Sequence, residues 1–507
     1  MKSNLRVMFL AAEADPFIKI GGLGDVAGSL PVALRNQFPP REEGSQAENI
    51  DIRLVIPFHG AIQRKGYSFR TIASYTVQSA SGPVHAEALE TELHGVPVYL
   101  ITGPLIPLEA PVYTPDASID GVKFTFFSLA ALELARILNW IPHLIHANDW
   151  HTAPALYSLY LSRDQDPFYY NTVILLGLHN LPYLGVGAGP ALGTFGLPPA
   201  VDSSLPSWAQ HMPLPLGLLS ADHVVTASPT YAREILTPEF GSGLHEFLRS
   251  RAGSISGILN GLDQEHWDPR TDPDLAVNYS LDNLAARTAN KTTLQKEFAL
   301  EPDPRQPLFA MITRMDNQKG VDLVPGAFRQ LTSRRNRTDK PWQLIILGTG
   351  DPALEAEARR LEAEFPAQVR AAIRFDLTLS HRIYAGADAL LIPSRYEPCG
   401  LTQMIAMRYG CVPVARAVGG LRDTIQDYHE SGLRTGFLFK DATASALAKS
   451  LLRALQVFSD PADWQALQRN GMAQDFSWNR FARQYFELYK TLVDQRINRA
   501  APQTAGG

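Results

Sequence analysis

The chain has 507 residues, 45% hydrophobic and 19% charged, a globular balance with enough apolar material for two large domains or three ordinary ones at about 150 residues each. Lys and Arg total 46 against 51 Asp and Glu, a net charge of −5, so no global basic field exists to hold nucleic acid or an anionic membrane, and an anionic ligand must be caught locally. The two cysteines, Cys399 and Cys411, exclude a disulfide framework and a cysteine-built zinc site and fit a reducing, cytoplasmic compartment. The longest apolar runs are strand-length, and the N-terminus opens on a strand pattern without a leader, which disfavours membrane insertion and export.

Short β-branched or aliphatic runs alternate with helical patterns along nearly the whole chain, as βαβ units around parallel sheets require. In the first half, strands are expected at 6–11, 52–55, 96–101, 144–147, 173–178 and 223–227, with helices at 26–34, 124–138 and 152–161. The pattern restarts with strands at 308–312, 343–347, 371–375, 389–392 and 412–415 and a helix at 401–409. Two doubly wound α/β domains are the simplest account. The apolar run at 257–263 is stopped by Asn260-Gly261 and followed by a polar, proline-containing stretch, so the join and a hinge are placed there. Stretches 39–49, 185–212 and 332–340 read as surface insertions, the second being rich in Gly and Pro.

Four clusters at strand ends could carry chemistry. Lys19-Ile20-Gly21-Gly22-Leu23-Gly24-Asp25 follows the first strand and precedes a helix. Glycine amides, a helix N-terminus and Lys19 can cradle a phosphate there, although a tight βα turn with a solvated lysine fits the glycines equally well. The spacing departs from the dinucleotide fingerprint. His146-Ala147-Asn148-Asp149-Trp150-His151 stands at a carboxyl strand end, where open α/β sheets bind ligands. Its imidazoles and carboxylate leave a strand in different directions, so no metal site is expected. His179-Asn180 ends the strand at 173–178. In the second half, Arg314 and Lys319 follow a strand tip, and Ser394-Arg395-Tyr396-Glu397-Pro398-Cys399-Gly400-Leu401-Thr402-Gln403 joins a strand to a helix. Glu397 can reach a ligand at the sheet edge, and the amides of Gly400, Leu401 and Thr402 form a second anion site.

At these residues, and at Ser228 to Glu234, Leu259-Asn260-Gly261, Gln318-Lys319-Gly320, Leu347 to Pro352, Gly419 to Thr424 and Asp475-Phe476-Ser477-Trp478, the chain resembles bacterial glycogen synthases and plant starch synthases. These are retaining glucosyltransferases of the two-domain GT-B fold. The resemblance runs almost end to end. It implies an acceptor-side domain at 1–260, a nucleotide-sugar domain at 261–480, an interdomain cleft, a C-terminal helix at 481–499 returning to the first domain, and a disordered tail at 500–507. It also implies transfer of glucose from ADP-glucose to the non-reducing 4-hydroxyl of an α-1,4-glucan, with no metal or other cofactor. Catalytic roles would fall to Lys19, Arg314 and Lys319 on the diphosphate, Glu397 on glucose hydroxyls, and His179 and Asp149 on the sugar face. Gly21, Gly22, Trp150, Asn180, Gly400, Leu401 and Thr402 would bind substrate, and Phe375 would stack on adenine.

Departures from the family pattern gather on the acceptor side. Met212-Pro213-Leu214-Pro215-Leu216-Gly217-Leu218 replaces an Asn-Phe-Leu-Lys-like run. Asp120-Gly121-Val122-Lys123 and Tyr183-Leu184-Gly185 are altered as well; Arg374, where glycine is common, is the exception, beside Phe375 at the expected base pocket. Prolines in 185–218 imply a stiffer loop with fewer donors for sugar hydroxyls, hence weaker primer binding. A GT-B enzyme with another nucleotide sugar or acceptor, or a catalytically weakened glucan-binding relative, is the alternative.

Overall fold

The computed structural model describes residues 4–40, 48–332 and 342–500. The expected insertions at 39–49 and 332–340 and the tail at 500–507 lie outside the described residues except at their ends. The chain divides into two compact units, Met1–Gly261 with Trp478–Gly507, and Leu262–Ser477.

The first unit is built on nine strands: β1 (Leu5–Leu10), β2 (Ile50–Pro57), β3 (Arg70–Ser79), β4 (Gly82–Leu93), β5 (Val96–Thr102), β6 (Leu144–Asn148), β7 (Val173–Leu178), β8 (His223–Thr226) and β9 (Ile255–Gly257). They lie in the order β3-β4-β5-β2-β1-β6-β7-β8-β9. From β5 to β9 in that order every pairing is parallel, while β3 and β4 add an antiparallel hairpin at one edge. Parallel strands covered on both faces read as near-continuous apolar runs, and every residue of β7 is buried. The two-residue period of β1 shows how the layers form. Met8 and Leu10 pack among residues of the helices Ala117–Ile137 and Asp149–Ser162, whereas Val7 and Phe9 pack among those of Gly22–Gln37 and Trp478–Ala500. The C-terminal helix is tied down by Phe486, stacked on Phe38 at 3.8 Å, and by the Tyr489 hydroxyl, 2.7 Å from His146 Nδ1.

The stretch at 185–212 is a surface insertion only in part: Val186, Val201 and Trp208 are exposed, but other residues are not. Ala188 is buried, and Leu192, Leu197, Leu205 and Ala209 belong to the same core as residues of Ala117–Ile137 and Asp149–Ser162. The segment after it is a helix, Pro213–Ser220, with all its residues buried. Its prolines occupy the first turn, where a missing N–H costs nothing, so residues 213–218 of the expected proline-stiffened loop are helix. Gly217 lets this helix press against its neighbour: a Cβ there would lie 2.7 Å from the Ala153 Cβ.

The second unit carries β10 (Leu308–Ile312), β11 (Gln343–Gly348), β12 (Val369–Ile373), β13 (Ala389–Ile392), β14 (Val412–Arg416) and β15 (Phe437–Phe439). Their order is β12-β11-β10-β13-β14-β15, parallel throughout, the doubly wound arrangement of a Rossmann-like domain. β12 ends at Ile373, so Phe375 belongs to the loop before the helix Leu377–Gly386 rather than to the strand.

Candidate active site

Among the parallel strands of each sheet the order reverses once, between β1 and β6 in the first unit and between β10 and β13 in the second. A crevice opens at such a reversal, outside the carboxyl strand ends, and ligands bind there. The loops that leave these four strands carry most of the residues singled out in the sequence.

After β1, Lys19 reaches out half-exposed and its Nζ lies 2.5 Å from Asp25 Oδ1. The adjacent amides do not point at open solvent. Glu13, 1% exposed, accepts from the N–H groups of Ile20 and Gly21, the latter at 3.2 Å to both oxygens, and from the Tyr113 hydroxyl at 3.0 Å. Burial pushes the Glu13 carboxyl up from its ordinary value, against the pull of these donors. The expected cradle is corrected in one respect: the Gly21 amide is already taken. The helix Gly22–Gln37 starts with no side-chain cap, which leaves its first turn as the anion-seeking end.

After β6, Asp149 adopts φ +56° at the strand-to-helix junction, a strained conformation for a non-glycine residue and one found at functional sites. The bend turns its carboxylate back onto the end of β7, where Oδ1 accepts from the amides of His179 at 2.7 Å and Asn180 at 3.3 Å. Asn148 Nδ2 donates to the Leu10 carbonyl, so its Oδ1 is the acceptor for His179 Nε2 at 2.8 Å. That assigns the His179 proton to Nε2 and leaves Nδ1 as an acceptor. Burial lowers the His179 pKa and raises that of Asp149, each opposed by the other's charge. Asn180 Oδ1 is buried with no partner among the described residues. Asp149, His179 and Asn180 are thus drawn into one group, while Trp150 packs edge-on against Phe124 at 5.4 Å. His146 and His151 are interior rings, the first bonded to Tyr489 and the second packed on Tyr113 and Trp150.

In the second unit Lys319 and Glu397 meet: Nζ lies 2.7 and 2.9 Å from the carboxylate oxygens, and the Ser394 hydroxyl adds a bond of 2.9 Å. Glu397 is 6% exposed. Arg314, largely exposed, donates to Asp316 at 2.6 Å, and the same aspartate accepts from the Lys319 amide at 3.0 Å. The three cations expected to await a phosphate therefore all carry carboxylate partners. Gly419 and Gly420 permit this corner, since a Cβ on them would lie 1.9 Å from the Glu397 carbonyl oxygen and 2.0 Å from that of Cys399. Gly400, at φ +73°, turns the chain into the short helix Thr402–Arg408, whose N-cap Leu401 makes no side-chain cap. Phe375 stands apart after β12, 85% exposed. Its neighbour Arg374 is spent on Asp376 at 3.0 Å.

Sequence reasoning missed Glu13, Tyr113 and Asp316, and it gave no role to Asn148 and Ser394 within the clusters that contain them. Asp25 and Asp316 lie close in sequence to the cations they bind, so their role had a visible signal. Among the altered positions, Lys123 is no open contact: it is 1% exposed and donates to Asp120 Oδ1 and to the Val112 carbonyl, both at 2.7 Å.

Two open α/β units with charged loops at their strand-order reversals match known families in order. Residues 6–250 match the starch synthase catalytic domain and residues 293–470 the glycosyl transferases group 1. The chain is a glycosyltransferase of the GT-B fold. It is 39% identical over 498 residues to the glycogen synthase of Anaeromyxobacter dehalogenans (strain 2CP-1), spanning 97% of this chain and 100% of the relative. To the glycogen synthase of Syntrophotalea carbinolica it is 36% identical over 506 residues, spanning 97% and 99%. The catalytic domain of starch synthase IV from Arabidopsis thaliana, bound to ADP and acarbose, has a TM-score of 0.82 at 32% identity, covering 97% of this chain and 100% of that one. Sucrose-phosphate synthase from Thermosynechococcus elongatus, at 20% identity and TM-score 0.59, shares the fold. The chain belongs to the glycogen synthase and starch synthase family. No helix among the described residues is long and apolar enough to cross a membrane.

Proposed function

We propose that the enzyme transfers glucose from ADP-glucose to the non-reducing 4-hydroxyl of an α-1,4-glucan, with retention at the anomeric carbon. The observation that carries this reading is the end-to-end likeness to a starch synthase catalytic domain bound to ADP and acarbose. Lys19, Arg314 and Lys319 neutralise the charge that grows on the diphosphate as its bond to C1 breaks. The amides of Gly22, Gly400, Leu401 and Thr402 add neutral donors, with Gly21 shaping the turn. Phe375 offers its exposed ring to adenine. Glu397, His179 Nδ1 and the unpartnered Asn180 Oδ1 are acceptors for sugar hydroxyls, with Asp149 holding the last two residues in place and Trp150 lining the sugar face.

The acceptor oxygen bonds to C1 on the face from which the diphosphate leaves, and its proton passes to a diphosphate oxygen. Protein cations carry the neutralisation, so no metal or other cofactor takes part. The enzyme works in the cytoplasm, where Cys399 and Cys411, both buried and neither in a disulfide, stay reduced. Its partners are the nucleotide sugar and the glucan, not nucleic acid or a membrane. Initial rates with ADP-glucose and UDP-glucose on a maltooligosaccharide primer, with and without EDTA, test the reading. EDTA-insensitive transfer that prefers ADP-glucose is expected. Preference for UDP-glucose would reassign the donor, and absence of transfer would favour a glucan-binding relative.

A further inference from the structure

Phe17, Ile18 and Leu23 are buried in the core, but the four residues between Ile18 and Leu23, which include Lys19, have little to hold them by packing. Ile20 is 61% exposed, and Gly21 and Gly22 have no side chains. The loop is held instead by backbone groups: Asp15 N–H donates to the Gly24 carbonyl at 3.0 Å, and the amides of Ile20 and Gly21 close on the Glu13 carboxylate. Those two amides immediately follow Lys19, so the carboxylate fixes the direction in which the lysine leaves the chain. Tyr113, 100 residues away, orients that carboxylate through Oε1. The packing behind it is tight, since a Cβ on Gly24 would lie 3.3 Å from Glu13 Oε2 and 3.2 Å from the Lys19 Cα.

A negative charge here opposes any diphosphate that Lys19 attracts, and it removes the Gly21 amide from the ligand's reach. Its contribution is therefore geometric. Charge-assisted bonds to backbone amides are about twice as strong as neutral ones, which suits a clamp on the exposed residues 19–22 between the buried Ile18 and Leu23.

We propose that Glu13, oriented by Tyr113, is a positioning residue that sets the backbone beside Lys19 and so governs kcat. The proposal rests on the assignment of Lys19 to the leaving diphosphate. The test is a double-mutant cycle in the full-length enzyme with Glu13→Gln, Tyr113→Phe and Lys19→Ala. Glu13→Gln should lower kcat about tenfold or more while glucan KM changes little, and Tyr113→Phe should cause a smaller loss of the same kind. Both losses should vanish in the Lys19→Ala background, and amide exchange across residues 20–24 should quicken in Glu13→Gln. Equal fold-losses in both backgrounds, or wild-type kcat in Glu13→Gln, would overturn the proposal. Should Glu13→Gln fail to fold, the Tyr113→Phe cycle decides by the same rule. Lys19→Ala with unchanged kcat would instead sink the assignment of Lys19, and this proposal with it.

Discussion

The contact between Lys319 and Glu397 leads to an expectation that runs against the usual loss on mutating a site carboxylate. Lys319 Nζ sits 2.7 and 2.9 Å from the two oxygens of a carboxylate that is 6% exposed. An incoming diphosphate must share that ammonium or draw it away, and it also meets the negative charge of Glu397. Glu397→Gln keeps the shape, retains an acceptor for Ser394 and removes the charge. A charge-assisted bond is worth about 1.5–3 kcal/mol; with Lys319 23% exposed, solvent screening cuts the competitive part to about 1–2 kcal/mol. ADP should therefore bind roughly 5- to 30-fold tighter to Glu397→Gln than to the native enzyme. Turnover should fall, because the same oxygens are assigned to glucose hydroxyls. Titration calorimetry with ADP and initial rates with ADP-glucose measure the two effects separately. Weaker ADP binding in Glu397→Gln would refute the reasoning, since it would mean that the carboxylate supports the nucleotide instead of competing with it for Lys319.

Other expectations rest on single side chains. Lys19→Ala should reduce kcat/KM by about 2–4 kcal/mol, the scale of one electrostatic contact to developing charge, while urea titration finds stability within about 0.5 kcal/mol because the side chain is half-exposed. Phe375→Ala removes a ring that is 85% exposed, so melting should not change, whereas ADP affinity should drop by about 1–3 kcal/mol if the ring stacks on the base; equal loss of stability and affinity would contradict this. Burial holds the His59 ring at about 4 and the His151 ring at about 3, below the ordinary value near 6.5. The unfolded chain then binds the extra protons. Stability present above pH 6.5 should be lost as pH falls toward 4, by up to about 1.4 kcal/mol per pH unit for each ring. Urea titrations at pH 7 and 5 measure this loss, which should shrink in His151→Gln, and a flat profile would contradict it.

How far the fold was legible depended on burial. The strands Val173–Leu178, Leu308–Ile312 and Ala389–Ile392 are nearly or wholly buried, so their sequences are unbroken apolar runs with boundaries that can be read directly. The hairpin of β3 and β4 went unseen because it is an edge with one face in water: Thr71, Ser74 and Thr76 on one strand and His85 on the other interrupt any apolar run. Gly and Pro in 185–212 suggested surface, yet the leucines and alanines between them supply core contacts, and Pro213 and Pro215 begin a helix instead of breaking one. Within the site, the charged residues at strand ends were legible because a doubly wound sheet puts its ligands there. Partners from distant parts of the chain were not. Glu13 gains its role only when a turn brings it under Ile20 and Gly21 and when Tyr113 arrives from another loop, and no periodicity in the sequence encodes that meeting.

The central claim is tested most directly by incubating the enzyme with ADP-glucose carrying 13C at C1 and a defined maltooligosaccharide, then reading the label by NMR and the released nucleotide by chromatography. The account predicts a primer lengthened at its non-reducing end, the label in an α-1,4 linkage, and one ADP for each glucose added. Label appearing as free glucose, in a β linkage, or not leaving the nucleotide at all would contradict it.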